Sequence, residues 1–188
     1  MSHGSRKGSS FEREICKKLS MWWTYGDRDD VFWRSSQSGG RATIRGRQGK
    51  RTAGSYGDIA ALDPIGEPFL KIFTPELKRG KSHGDPGDLL DCTGNCKIHP
   101  FVQTLEQSAA ASKLAGSRSW LIIAKRDRHH VAVFFPSFLL NDQVLVHARA
   151  DLLTPSVFRY RIDNFDFVGV RLEKFLSAVD PSSLAENI

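Results

Sequence analysis

A chain of 188 residues, 40% of them hydrophobic, is long enough for one well-packed domain and too short for two of ordinary size. Three cysteines (Cys16, Cys92 and Cys96) give no disulfide framework, and no apolar run reaches the length of a membrane span or a secretory leader. A cytoplasmic, nucleoid-associated protein is expected, and a formal charge of +6 favours an acidic partner, nucleic acid first.

Residues 1 to 7, which include Arg6 and Lys7, read as a mobile basic arm. A helix is predicted to follow, opened by a capping box of Ser9 and Glu12 and carrying Phe11, Ile15, Leu19 and Trp22 at helical spacing. Glu12 and Glu14 flank that apolar stripe on opposite sides, so helix geometry alone does not choose which acid faces inward. Residues 31 to 35 read as a strand. An acid-free stretch then carries Arg41, Arg45, Arg47, Lys50 and Arg51 among glycines. It reads either as a solvated basic loop or as a flexible contact to phosphate backbone; its position just before Asp58 favours the second.

From Gly57 to Lys78 two apolar runs are separated by Pro64-Ile65-Gly66-Glu67-Pro68, the pattern of a hairpin with a loop of several residues. On its strand, Glu76 and Lys78 project from one face, roughly 6.6 Å apart. Asp58 opens the partner strand and is expected beside them. Two carboxylates and an ammonium at one end of an apolar sheet are costly unless a cation binds there, and a hard divalent metal is the usual occupant. Pro75, which has no N–H, requires an edge or a bulge at that strand.

After an excursion from Arg79 to Pro100, residues 101 to 115 are predicted helical, ended by Gly116, with Gln103 and Gln107 on one face. Strands are predicted at 119–125 and 130–135, completing the order helix, three strands, helix, two strands. Beyond residue 136 the expectation is a short turn at 138–140, strands at 144–149 and 158–162, and a helix at 170–179. Residues 1–135 are taken as the core, and 136–188 as an extension packed on the same domain. Cys92, Cys96 and His99, with His83 as a fourth ligand, have zinc-like spacing looser than a zinc ribbon; an ordinary loop with free thiols is preferred. His129-His130 reads as a surface pair, and Trp22-Trp23 as core residues or an interface patch.

Glu12 on a first helix, Asp58 at a strand start, and Glu76-Leu77-Lys78 on the next strand resemble the PD-(D/E)XK nuclease superfamily. Within it, Arg6-Lys7-Gly8-Ser9-Ser10-Phe11-Glu12-Arg13 is similar to the opening of archaeal-type Holliday junction resolvases and related phage nucleases, and the likeness covers residues 6 to 135. Gly57 stands where that pattern often has proline. The resemblance implies an α/β fold of the restriction-endonuclease type, a mixed β-sheet flanked by helices in αβββαββ order. It also implies a Mg²⁺-dependent DNA endonuclease, with Mn²⁺ as substitute, acting on Holliday-junction or branched DNA in recombination as a homodimer. Asp58, Glu76 and the Leu77 carbonyl would hold the metal, Glu12 would hold metal-bound water or a second ion, Lys78 would orient or deprotonate the attacking water, and Gln107, preferred over Gln103, would position water or phosphate. Arg6, Lys7 and the basic stretch would carry DNA. A phage or restriction-like duplex nuclease is the runner-up. A non-catalytic DNA-binding module is the alternative of another class, disfavoured because a pure binder gains nothing from acids facing phosphate.

Overall fold

The computed structural model describes residues 3–35, 56–81, 83–91, 99–154, 157–162 and 164–186. Helix α1 runs His3–Trp23. It begins six residues earlier than Ser9, so the expected arm from His3 onward is helix and Ser9 lies inside it rather than at its cap. Arg and Lys are good helix formers, and the single Gly8 costs only about 1 kcal/mol in a helix otherwise held by its packing. Phe11, Ile15 and Leu19 are buried as the spacing requires, and Trp23 continues the stripe in place of Trp22. Trp22 is no interface patch: its ring packs against Trp23, Phe69 and Phe175, and its indole N–H donates to the Val179 carbonyl at 3.1 Å.

Strands β1 (Phe32–Arg34) and β2 (Ile59–Ala61) form a separate antiparallel ribbon, with Phe32 opposite Ala61 and Arg34 opposite Ile59. The long hairpin expected over 57–78 does not form. Asp63 caps a 3₁₀ turn at Pro64–Gly66 by accepting from the Ile65 N–H at 3.0 Å, and helix α2 (Glu67–Ile72) comes next. Pro64 and Pro68 fall in the first turns of these two elements, where a missing N–H costs nothing, and Phe69 and Ile72 bury one helical face. Strand β3 therefore begins at Phe73 and runs to Arg79.

Beyond a 3₁₀ turn at Pro86–Asp91, helix α3 (Pro100–Ala115) is capped by His99, whose Nδ1 accepts from the Phe101 N–H, and is ended by Gly116 at φ 72°. This helix is the crossover that lets β4 (Ser119–Lys125) lie parallel to β3. Strand β5 (Ala132–Pro136) then pairs antiparallel to β4. Residues 144–149 do not form the expected strand. The Asp142 side chain and carbonyl take the Val144 and Val146 N–H groups, folding the segment into turns that lead to α4 (Arg149–Leu153), with Val144 and Leu145 both buried. Strands β6 (Phe158–Ile162) and β7 (Phe165–Arg171) follow, then α5 (Leu172–Ala178) and α6 (Pro181–Glu186). The sheet order is β3-β4-β5-β7-β6, all antiparallel except β3 with β4.

The result is a mixed α/β fold with a five-stranded sheet flanked by helices; it differs from the expected order by the helical insert before β3, by the missing strand at 144–149 and by β7, while β6 stands at 158–162 as expected. Phe73, Leu77, Leu121 and Ile123 pack toward α1, while Trp120, Ile122 and Ala124 pack toward Phe101, Val102 and Leu105 of α3. Strand β4 is thus buried on both faces, as its unbroken apolar run demands. No described helix is long and apolar enough to cross a membrane.

Candidate active site

Asp58 joins the small ribbon to the main sheet. Its N–H donates to the Pro75 carbonyl at 2.9 Å, its carbonyl accepts from Ser35 N–H at 2.8 Å, and its Oδ2 accepts from Leu77 N–H at 2.8 Å. The N–H and C=O of a strand residue point to the same edge, so Pro75 and Leu77 both turn their polar groups toward β2 and away from β4. That explains Pro75. Its missing donor lies on the edge that has no full ladder, and its carbonyl is used by Asp58. It also leaves the Leu77 carbonyl on the side where Asp58 sits. Gly57, at φ 97°, permits this approach, since a Cβ there would stand 2.7 Å from the Pro75 oxygen.

Glu76 and Lys78 share a face, as predicted, and their side chains pair at 2.7 Å while remaining mostly buried. Glu12 rather than Glu14 turns toward the sheet. Its Oε2 lies 3.1 Å from Arg34 Nε of β1, whereas Glu14 is exposed and pairs with Lys18 one turn along. The Arg34 contact is a close ion pair without hydrogen-bond alignment, so Glu12 Oε2 is buried with its acceptor capacity unused. Burial pushes the Asp58 carboxyl up to about 7, with the Glu76 charge as the next cause and Glu12 adding to it; the Leu77 N–H and Lys78 pull the other way. Glu12, Asp58, Glu76 and Lys78 thus share one electrostatic neighbourhood. Beneath it lies Cys16, a buried free thiol pushed up to about 12 by burial and then by Glu12, and so chemically quiet.

Gln103 and Gln107 are both exposed on α3, whose sheet-facing side instead presents Thr104 and Ser108. Arg41, Arg45, Arg47, Lys50, Arg51, Cys92 and Cys96 lie outside the described residues, as do the side chains of Arg6 and Lys7. Two participants escaped the sequence reading. Arg34 orients Glu12, and its signal was a charged residue ending an apolar strand. Ser35, whose hydroxyl is buried without a partner, adjoins Asp58; the segment from Ser35 to Gly40 falls in the family-like order, but the sequence assigns the serine no role.

Among the described residues, no group of three or more His, Cys, Asp or Glu side chains is gathered to hold a metal. The set that suits a hard divalent cation is two carboxylates, Asp58 and Glu76, with the Leu77 carbonyl on the strand edge that faces Asp58. Burial first, and then the Glu76 charge, keep the proton on Asp58, and a cation bound there would offset both.

A family model described as "Phage putative PDDEXK endonuclease" matches residues 3–186. No curated protein and no solved structure matches the chain.

Proposed function

The chain belongs to the phage PDDEXK endonuclease family, and from that premise we propose that it is a Mg²⁺-dependent DNA endonuclease whose centre is Asp58, Glu76 and Lys78. The single observation that carries this is the Asp58 carboxylate, held between the Leu77 N–H and the Glu76 charge at an energetic cost that a folding or purely binding role does not require. A divalent cation on Asp58, Glu76 and the Leu77 carbonyl would polarise the scissile phosphate and neutralise charge that builds there. Lys78, fixed by Glu76, holds and orients the attacking water and stabilises the phosphoryl oxygens as the water oxygen bonds to phosphorus and the sugar oxygen leaves with the electron pair, the water's proton passing to solvent and the leaving oxygen taking one from it. Glu12, oriented by Arg34, accepts a hydrogen bond from a water on the helix side. Gln107 is exposed on the outer side of α3, so any role in positioning phosphate or water would be played from solvent and not from the sheet face. Arg6, Lys7, Arg41, Arg45, Arg47, Lys50 and Arg51 hold the backbone.

The likeness of residues 6–13 to junction resolvases supports branched or Holliday-junction DNA as substrate. Two-fold cutting of such a junction would need a homodimer. The test is the full chain with Mg²⁺ or Mn²⁺ against four-way junction, flap, duplex and single strand. Junction cleavage by symmetric nicks is expected; cutting of linear duplex alone would make it the restriction-like enzyme instead. Asp58→Asn and Glu76→Gln should lose cleavage by at least about 10³-fold while still binding DNA. Cleavage at the parental rate would remove those residues from the centre.

A further inference from the structure

Beyond β3 the chain turns back across the sheet, and the turn encloses a hollow of about 250 Å³, several water volumes at ~30 Å³ each. Its polar lining is His83, Asp85, Arg126, His129 and His130, and its apolar floor includes Ala124 and Ala132. The floor is why the hollow exists. Lys78, Ala124 and Ala132 are successive partners across β3, β4 and β5, so all three project from the same face. Two alanines in that row leave the space that the larger side chains before Ala124 would fill. The floor therefore lies one to two strand spacings, ~5–10 Å, from the proposed catalytic lysine.

His83 is 5% exposed, and its Nδ1 is buried with no hydrogen-bond partner. The described residues just after it are closely packed. Gly84, at φ 74°, packs so closely that a Cβ would stand 2.9 Å from the Phe101 nitrogen, and Asp85 accepts from the Gly87 N–H at 2.8 Å. Asp85 also pairs with Arg126, so the one acid in the lining is already engaged. Burial, then Lys78 and Arg126, hold His83 toward its neutral form, which still offers one N–H. The same two cations that disfavour a proton on His83 disfavour a metal ion there, and the described residues include no group of His, Cys, Asp and Glu fit to hold one. Lys78 and Arg126 are each paired with an acid, Glu76 and Asp85, so what points to an anion is the unpartnered His83 Nδ1 at the wall of a hollow that these cations border.

We propose that this hollow is a second phosphate subsite, seating a DNA backbone phosphate next to the one cleaved, through His83 Nδ1 with Arg126 and the His129-His130 pair. The assignment rests on the nuclease reading and names where that enzyme grips the strand beside the scissile bond. A phosphate there fixes the register of the strand over Lys78 without reading bases.

The experiment measures four-way-junction and duplex binding by the full chain carrying Asp58→Asn, so that nothing is cut. His83→Leu should weaken binding about 5–10-fold at fixed salt, and His83→Asn, which returns a donor near the Nδ1 position, should restore it to within about twofold. Equal affinity of the leucine variant and its parent would overturn the subsite while leaving the nuclease reading intact. If the Asp58→Asn protein binds neither four-way junction nor duplex, the nuclease reading itself fails. Should the leucine variant not fold, wild-type protein with ¹⁵N-labelled histidine is titrated with inorganic phosphate. A shift of the His83 Nδ1 resonance supports the subsite. No shift, or a response to Zn²⁺ alone, overturns it.

Discussion

At the scale of single residues, the centre is set by what Asp58 gives up. A carboxyl whose proton is held more tightly folded than unfolded favours folding at low pH and loses that contribution as pH rises from the unfolded value of 3.8 toward about 7. The wild-type chain without metal should therefore be destabilised on going from pH 4 to pH 8, on the order of 2–4 kcal/mol from this one group. Asp58→Asn removes the titration and keeps an oxygen for the Leu77 N–H. Its melting temperature should equal that of wild type near pH 4 and exceed it by roughly 5–10 °C at pH 8. Thermal melts across that range check it; a pH-independent difference would mean that the carboxyl is not strained. Millimolar Mg²⁺ should narrow the gap by stabilising the wild type alone. The two acids and the lysine were legible in sequence because each carries a charge at an apolar strand end. Arg34 and Ser35 were not, because their significance comes only from the partners that folding supplies.

At the scale of elements, the joint between the β1–β2 ribbon and β3 is thin: among the described residues it has one main-chain hydrogen bond and one from a side chain, both made by Asp58. Gly57 makes it possible. Gly57→Ala would force a side chain into positive φ and onto the Pro75 oxygen, a strain of about 2–3 kcal/mol. The cheapest relief is to move the ribbon away from β3, which carries Asp58 out of the centre. Cleavage should thus fall by far more than the modest drop in urea midpoint would suggest, a combination that paired activity and unfolding measurements would reveal. Alternation along β3 was readable because period 2 places Glu76 with Lys78 and Leu77 opposite them whatever precedes the strand. The route into the strand was not. Pro64 and Pro68 suit a turn and a helix start equally, and what selects the helix is the burial of Phe69 and Ile72 against α1 and its neighbours. Similarly, Val144 to Arg149 has strand composition, but the local bonds offered by Asp142 win.

At the scale of the whole molecule, the part least legible in sequence is structurally central. Strand β7 lies between β5 and β6, with Gly169 opposite Phe134 where a Cβ would stand 2.5 Å from the ring. Residues 165–171 show no clean alternation because both faces of β7 are covered along much of its length, and the helix predicted over 170–179 therefore overlaps its end. The division at residue 135 therefore cuts through a sheet. Phe167, Val168, Val170, Leu172, Phe175, Val179 and Leu184 are all buried and all lie beyond it. At ~1.5–3 kcal/mol for each such side chain, their loss is on the order of 10–20 kcal/mol, as large as the entire stability of an ordinary domain. Truncation after Pro136 would also strip β5 of its neighbour and leave an apolar strand edge open to other chains. The shortened chain should aggregate or show no cooperative melt by circular dichroism, even though every proposed catalytic residue remains in it. A truncated chain that melts cooperatively and cuts DNA would mean that residues 137–186 cover the centre's sheet without holding it.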